Sequence, residues 1–226
     1  MPRYFLKKEC PIPSSINLAS FKVGKSVNEA ANLNRCLTAV KDLAQEIVIV
    51  DGSSQDNTRD IARAFGAKVF KVKNLSMFHT NKQLALDKAN GDWILQLDAD
   101  EVVDKQLKQS IKAVLASQGH PLQGYYLKRK NFFLGHWLTK GGQYPDPVIR
   151  LVRRGQASFP QISVHEQIKV NGSTATLAGH LLHRTAPTFS RYLTNANRYT
   201  SLTAQELVQK KVNFHLFNLL NYLIFK

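Results

Sequence analysis

The sequence predicts an α/β fold built on a doubly wound, mainly parallel sheet. Short β-branched or apolar runs alternate with segments of helical spacing over about 80 residues, the βαβα order of such sheets. Two of the runs, Glu46-Ile-Val-Ile-Val-Asp51 and Trp93-Ile-Leu-Gln-Leu97, have the near-continuous apolar character of strands covered on both faces. Each run is followed by an acidic residue, Asp51 or Asp98. Ligands of doubly wound sheets bind beyond the carboxyl ends of the strands, where both acids fall.

The elements follow in order. Residues 16–23 form a strand candidate, and Ala30, Leu33, Leu37 and Val40 give 28–40 the apolar spacing of a helix. After the strand 46–51, the polar turn 52–58 leads into a helix over 59–65 that Gly66 stops. Residues 67–72 read as a strand, 81–89 as a helix closed by Asn90-Gly91, and 93–97 as the next strand. In the second half, 106–116 is helical. A strand-rich stretch begins at Gly124 and runs through 148–153 and 168–170, with turns at Gly141-Gly142, 145–147 and Asn171-Gly172. Residues 191–208 return to helix, and no internal repeat interrupts the order.

Composition narrows the class. The chain has 226 residues, 43% hydrophobic and 21% charged, a globular composition that excludes disorder and low complexity. No apolar run is long enough to span a bilayer. Cys10 and Cys36 cannot make a disulfide framework, and Met1-Pro-Arg-Tyr-Phe-Leu-Lys-Lys-Glu lacks the apolar core of a secretory signal, so a cytoplasmic location is expected. The 31 Lys+Arg against 16 Asp+Glu leave a net charge of +15, which favours anionic partners. The cations recur in small clusters, such as Lys128/Arg129/Lys130 and Arg150/Arg153/Arg154, without a nucleic-acid-binding motif. No nucleic-acid partner is expected.

The acids carry the chemistry. Asp98-Ala-Asp100-Glu101 follows a strand directly, and alternate residues beyond a strand end can aim two carboxylates at one divalent cation. Oxygen ligands suit Mg²⁺ or Mn²⁺, which also bridges a diphosphate. Asp51, beside the small residues Gly52, Ser53 and Ser54, can accept a hydrogen bond from a base N–H or ribose hydroxyl, while Asp56 is placed to cap the following helix. Gly24-Lys-Ser26 echoes the end of a phosphate-binding loop, but Ala19 stands where the earlier glycine is required.

The ordered set Asn28-Glu29, Glu46–Asp51, Asp56-Asn-Thr58, Asn81-Lys-Gln83 and Gly91-Asp-Trp-Ile-Leu-Gln-Leu-Asp-Ala-Asp-Glu101 resembles the family-2 glycosyltransferases of the A-type (GT-A) fold. Arg129-Lys-Asn-Phe-Phe-Leu-Gly135, Gly141-Gly-Gln-Tyr-Pro-Asp-Pro147, Arg150-Leu-Val-Arg-Arg154 and Val164-His-Glu166 are similar to the bacterial lipopolysaccharide core β-1,4-glucosyltransferases. The resemblance implies that Asp51 contacts the nucleotide base, Asp98 and Asp100 hold metal and diphosphate, and Asn28 and Glu29 line the nucleotide pocket. In the family an uninterrupted apolar first strand runs into the Asn-Glu pair. Here Ser20-Phe-Lys-Val-Gly-Lys-Ser26 intervenes. The implied organisation is one GT-A domain over 1–208, with a nucleotide-sugar half at about 16–104, an acceptor half at 105–208 and an amphipathic C-terminal helix at 209–226.

The implied reaction is metal-dependent inverting transfer of a sugar from a nucleotide-sugar, a UDP-sugar first, to a saccharide or lipid-linked acceptor of the cell envelope. Inversion needs a base for the acceptor hydroxyl and a cationic clamp for the departing diphosphate. Glu166 is the first candidate for the base and Asp146 the second; Lys82, Arg150, Arg153 and Arg154 are candidates for the clamp. His165 and His183 can each supply a further metal or phosphate contact. On the acceptor side, Lys128–Trp137 interleaves cations with aromatics suited to sugar rings or head groups. Lys210/Lys211 precede an apolar stretch with one polar stripe (Lys211, His215, Asn218, Asn221), which reads as an interfacial helix on the anionic cytoplasmic face of a membrane. Two other readings compete: a nucleotidyltransferase, and a non-catalytic basic domain binding membrane or nucleic acid.

Overall fold

The computed structural model describes residues 16–22, 30–73, 79–117, 121–140, 142–160, 167–186, 188–209 and 211. Asn28, Glu29, His165, Glu166, Cys10 and the stretch 212–226 expected to form the interfacial helix lie outside the described residues. The chain forms two compact units, Met1–Pro187 and Thr188–Lys226.

In the first unit, β1 (Ile16–Lys22), α1 (Ala30–Val40), β2 (Glu46–Asp51), α2 (Thr58–Ala64), β3 (Lys68–Lys71), α3 (His79–Lys88) and β4 (Trp93–Asp98) alternate as the periodicity predicts. They are followed by β5 (Glu101–Val103), α4 (Lys105–Ala116), β6 (Gly124–Phe133), β7 (His136–Trp137), β8 (Asp146–Arg153), β9 (Ala157–Ser158), β10 (Lys169–Val170) and β11 (Thr174–Ala186). The main sheet has the order β3-β2-β1-β4-β8-β6-β11-β5, with β7 paired to β6. β3, β2, β1 and β4 are mutually parallel, while β8 lies antiparallel between β4 and β6. Because β6 is antiparallel to β8, and β11 parallel to β6, the carboxyl ends of β6 and β11 return to the edge where β2 and β4 end.

Apolar layers hold the sheet on both faces. Leu33, Leu37, Val40, Leu107 and Ile111 from α1 and α4 pack with Ile49, Leu95, Leu97, Leu127 and Leu181. On the other face Ala85 and Leu86 of α3, with Ala89 just past its end, meet Val50, Ile94, Ile149 and Val152. Alternation along β2 and β4 supplies residues to both layers, which is why these strands read as unbroken apolar runs. Burying each of the large aliphatic side chains contributes about 1.5–3 kcal/mol.

Two expectations are corrected. The 145–147 segment is not all turn: β8 begins at Asp146, so Asp146 and Pro147 sit on the sheet opposite Arg129 and Lys128. Pro147 is exposed there, at the start of the strand, a position that tolerates a missing N–H. Residues 168–170 supply only the two-residue β10, paired with β9 outside the main sheet. The long β11 has no counterpart in the periodicity reading. It carries Gly179 at φ 93°, where a Cβ would lie 2.1 Å from Leu107 N. Only glycine lets this strand pass so close to the start of α4. Beside it, Asp104 caps α4 by accepting from Leu107 N at 2.7 Å and also accepts from His180 N at 3.0 Å, locking β11 to the helix.

In the second unit, α5 (Phe189–Gln209) realises the helix expected over 191–208 and exposes Phe189, Leu193, Leu207 and Val208. No helix of the described residues is long and apolar enough to cross a membrane.

Candidate active site

β1 lies between β2 and β4, and its register places Phe21 beside Asp98 and Lys22 beside Asp51. The strand order reverses here, which opens the crevice where doubly wound sheets take ligands. Asp51 and Asp98 thus flank the end of one strand.

Asp98 ends β4 half-buried between two cations, with Lys82 Nζ at 2.8 Å from Oδ1 and Arg150 Nη2 at 2.9 Å from Oδ2. Burial alone would raise its pKa, but the charges of Lys82 and Arg150 outweigh that and hold the carboxyl well below the usual range. Arg150 reaches this position through a β-bulge: the β6–β8 register shifts between Tyr125/Leu151 and Tyr126/Ile149, leaving Arg150 as the extra residue. Its guanidinium also donates to Glu101 at 2.7 Å and to Gln96. Glu101 is fully buried and accepts from Asp98 N at 2.9 Å, which fixes the turn between the two aspartates.

Asp100 faces the other way. Its Oδ2 lies 3.4 Å from His183 Nε2, and Arg184 N donates to its carbonyl at 3.2 Å. The His183 ring continues into a chain: Nδ1 is 2.7 Å from Asn131 Oδ1, and Asn131 Nδ2 donates to Asp146 Oδ2 at 3.0 Å. Arg129 closes the chain with Nε at 2.8 Å and Nη2 at 2.6 Å from the same oxygen. Burial would lower the His183 pKa, but the neighbouring Asp100 carboxylate prevails and raises it. Burial would raise that of Asp146, but Asn131 and Arg129 lower it.

The expected residues are thus placed as follows. Asp98, Asp100, Lys82, Arg150 and Asp146 converge on one sheet edge. Asp98, expected as a metal ligand, has each oxygen in an ion pair, whereas Asp100 and His183 face each other at 3.4 Å. A carboxylate oxygen and an imidazole nitrogen form a donor set compatible with Mn²⁺. Among the described residues no cluster of three or more His, Cys, Asp or Glu side chains could hold a metal ion. Arg150, expected as a diphosphate clamp, is only 7% exposed and is committed to Asp98, Glu101 and Gln96. Asp146, the second candidate base, is committed to Arg129 and Asn131, and its lowered pKa makes it a weaker proton acceptor. Asp51 is fully buried, accepts from Ser54 N at 3.1 Å and pairs with Arg59 at 2.9 Å. Asp56 accepts from Thr58 N at 3.2 Å, while Asn57 holds the cap position of α2.

Sequence reasoning missed Glu101 as the anchor of the turn and Asn131 as the link between His183 and Asp146. Local pattern carried no signal for them: Lys128, Arg129, Lys130 and Asn131 are four consecutive polar residues in β6, so alternation does not single out Asn131.

The chain has an acidic crevice at the switch point of a doubly wound sheet, and its fold is that of the GT-A glycosyltransferases among solved structures. The chain belongs to glycosyl transferase family 2, whose model matches residues 25–169. It is 29% identical over 189 residues to the lipopolysaccharide core biosynthesis glycosyltransferase LpsC of Rhizobium meliloti, covering 81% of this chain and 69% of LpsC. Among solved structures it resembles the mannosyltransferase PcManGT of Pyrobaculum calidifontis, in complex with GDP-Man and Mn²⁺, at a TM-score of 0.57 and 13% identity, covering 89% and 65% of the two chains. S. aureus TarS 1-349 in complex with UDP-GlcNAc has the same TM-score at 15% identity, covering 79% of this chain and 60% of TarS. These structural likenesses concern the fold.

Proposed function

We propose that this chain is a metal-dependent, inverting glycosyltransferase that moves a sugar from a nucleotide-sugar, a UDP-sugar first, to a saccharide or lipid-linked acceptor of the cell envelope. The observation that carries this reading is the Asp98/Asp100 turn at the end of β4, with Asp98 neutralised by Lys82 and Arg150 and Asp100 left facing His183. Both structural neighbours are complexes with a nucleotide-sugar, and LpsC is a lipopolysaccharide core biosynthesis glycosyltransferase; these likenesses support the donor and acceptor classes.

In this reading Asp100 and His183 would hold a divalent cation, which when bound would supply charge neutralisation for the diphosphate leaving group. Lys82 and Arg150 keep Asp98 ionised, and Glu101 keeps the turn rigid, so the carboxylates are aimed before substrate arrives. Asp51 lies on the nucleotide side of the crevice and binds the base or ribose if Arg59 yields. Glu166 removes the proton of the acceptor hydroxyl, and the anomeric carbon–diphosphate bond breaks as the new glycosidic bond forms on the opposite face.

The direct test is release of nucleoside diphosphate from a panel of nucleotide-sugars, with Mn²⁺, with Mg²⁺ and with chelator, alongside the melting temperature with UDP. Metal-dependent release from one donor and a UDP-induced rise in melting temperature that requires metal are expected. A protein indifferent to every nucleotide would return the chain to the non-catalytic reading. The base assignment is separable: Glu166→Gln should lower the transfer rate constant by about 10²–10⁴-fold with donor affinity nearly unchanged. Loss of donor affinity without loss of rate would exclude Glu166 from that role.

A further inference from the structure

We propose that Asp146 and Asn131 are positioning residues, holding His183 in the tautomer that carries its proton on Nδ1 and presents a bare Nε2 to Asp100. The inference rests on the reading of Asp100 and His183 as the groups that hold the metal, and it adds the device that prepares them.

Hydrogen-bonding capacities dictate the result. An ionised carboxylate only accepts, and Arg129, bound to Asp146 through two nitrogens, favours the ionised form. The end of the Asn131 amide facing Asp146, at 3.0 Å, must therefore be its NH₂ group. The opposite end, facing His183 Nδ1 at 2.7 Å, is then the carbonyl oxygen, which can only accept. So Nδ1 must donate. In a neutral ring the lone pair then sits on Nε2, 3.4 Å from Asp100 Oδ2. Two electron-rich atoms this close repel unless a cation or a proton joins them. The separation is also long for a well-formed N–H···O bond. The chain Asp146–Asn131–His183 thus selects the form of the imidazole that coordinates metals, as outer-shell partners of ligating histidines do.

The fold supplies this chain. His183 lies opposite Asn131 in the parallel β6–β11 register and opposite Glu101 in the β5–β11 register. Asp146 lies opposite Arg129 in the β6–β8 register. Three neighbouring strands therefore set the spacing, and no loop rearrangement is needed. The arrangement also gives Asp146 a role other than the base considered for it from sequence.

The test uses the full chain. Nitrogen-15 NMR of the imidazoles in metal-free protein, at a pH where the rings are neutral, reads the tautomer directly; His183→Gln assigns the signal. Calorimetric titration with Mn²⁺ alone reads affinity. The wild type should show His183 protonated on Nδ1. Asn131→Leu should move the proton to Nε2, at least in part, and weaken Mn²⁺ binding by about 10–100-fold. Asp146→Asn preserves volume but frees the amide of Asn131 to turn over, and should shift both readouts in the same direction. It keeps the test open if Asn131→Leu fails to fold. A wild-type ring protonated on Nε2, or variants whose tautomer and Mn²⁺ affinity both match the wild type, would overturn the proposal. Failure of the wild type to bind Mn²⁺, with His183 still on Nδ1 and shifting in the variants, would instead sink the metal reading and leave the positioning chain standing.

Discussion

Asp100→Asn is expected to cut turnover about a hundredfold or more while leaving the protein folded. The expected loss follows from chemistry at one atom. The proposed metal site contains one carboxylate facing one imidazole, and an amide is a far poorer ligand for a divalent cation at almost unchanged volume. Charge stabilisation by a metal in such reactions amounts to several kcal/mol, and about 3 kcal/mol corresponds to about a hundredfold in rate. The fold should survive because Asp100 is half-buried and its carboxylate faces His183 rather than the buried cations. Asp98→Asn makes an instructive control. It removes the charge that Lys82 and Arg150 enclose, so it should lose stability as well as activity. Nucleoside diphosphate release and circular dichroism on the two variants separate these effects. Turnover near the wild-type level in Asp100→Asn would remove the residue from the mechanism.

The contrast between the two aspartates also shows what a sequence can and cannot convey. That Asp98 and Asp100 stand beyond a buried strand was legible, because Trp93-Ile-Leu-Gln-Leu97 needs burial on both faces and only a sheet interior provides it. The different partners of the two acids were not legible. They depend on Arg150, brought in by a bulge, and on His183, carried by a strand with little periodic signal. Thr174-Ala-Thr-Leu-Ala-Gly-His-Leu-Leu-His-Arg-Thr-Ala186 mixes small, polar and apolar residues because part of it passes a helix start through Gly179 and part lines a polar site. Its register comes from long-range pairing with β6 and β5, which no local pattern encodes. The first half of the chain, made of repeating βα units with local apolar spacing, was readable almost element by element. The sequence marks His183 as a candidate metal or phosphate contact, but its partners Asn131 and Asp100 come only from the long-range pairing of β11. The Asn28-Glu29 pair and Glu166 carry expectations from resemblance and lie outside the described residues, whereas the early strand is present as β1.

Arg150→Met should destabilise the protein by about 3–5 kcal/mol, the usual cost of leaving a buried charge without its partner. For a chain of this size that lowers the melting temperature on the order of 10 °C. The guanidinium is almost wholly buried and donates to Gln96, Asp98 and Glu101 together, so methionine replaces its volume but none of its hydrogen bonds. Asp98 would keep Lys82 at 2.8 Å, whereas Glu101, with no exposed surface, would keep the hydrogen bond from Asp98 N and, as its cation, Arg129 at 3.7 Å. Most of the cost therefore belongs to Glu101. It follows that Arg150→Met combined with Glu101→Gln should be more stable than the sum of the two single losses, because the second change removes the orphaned charge. Urea unfolding of the two single variants and the double variant measures that coupling. A coupling near zero, or a loss in Arg150→Met below about 1 kcal/mol, would mean that the pair is not a structural anchor. Arg150 would then be available to turn toward a diphosphate, as first expected of it. A strong coupling instead confines Arg150 to fixing the Asp98–Glu101 turn, and the clamp must be sought among cations that face the crevice.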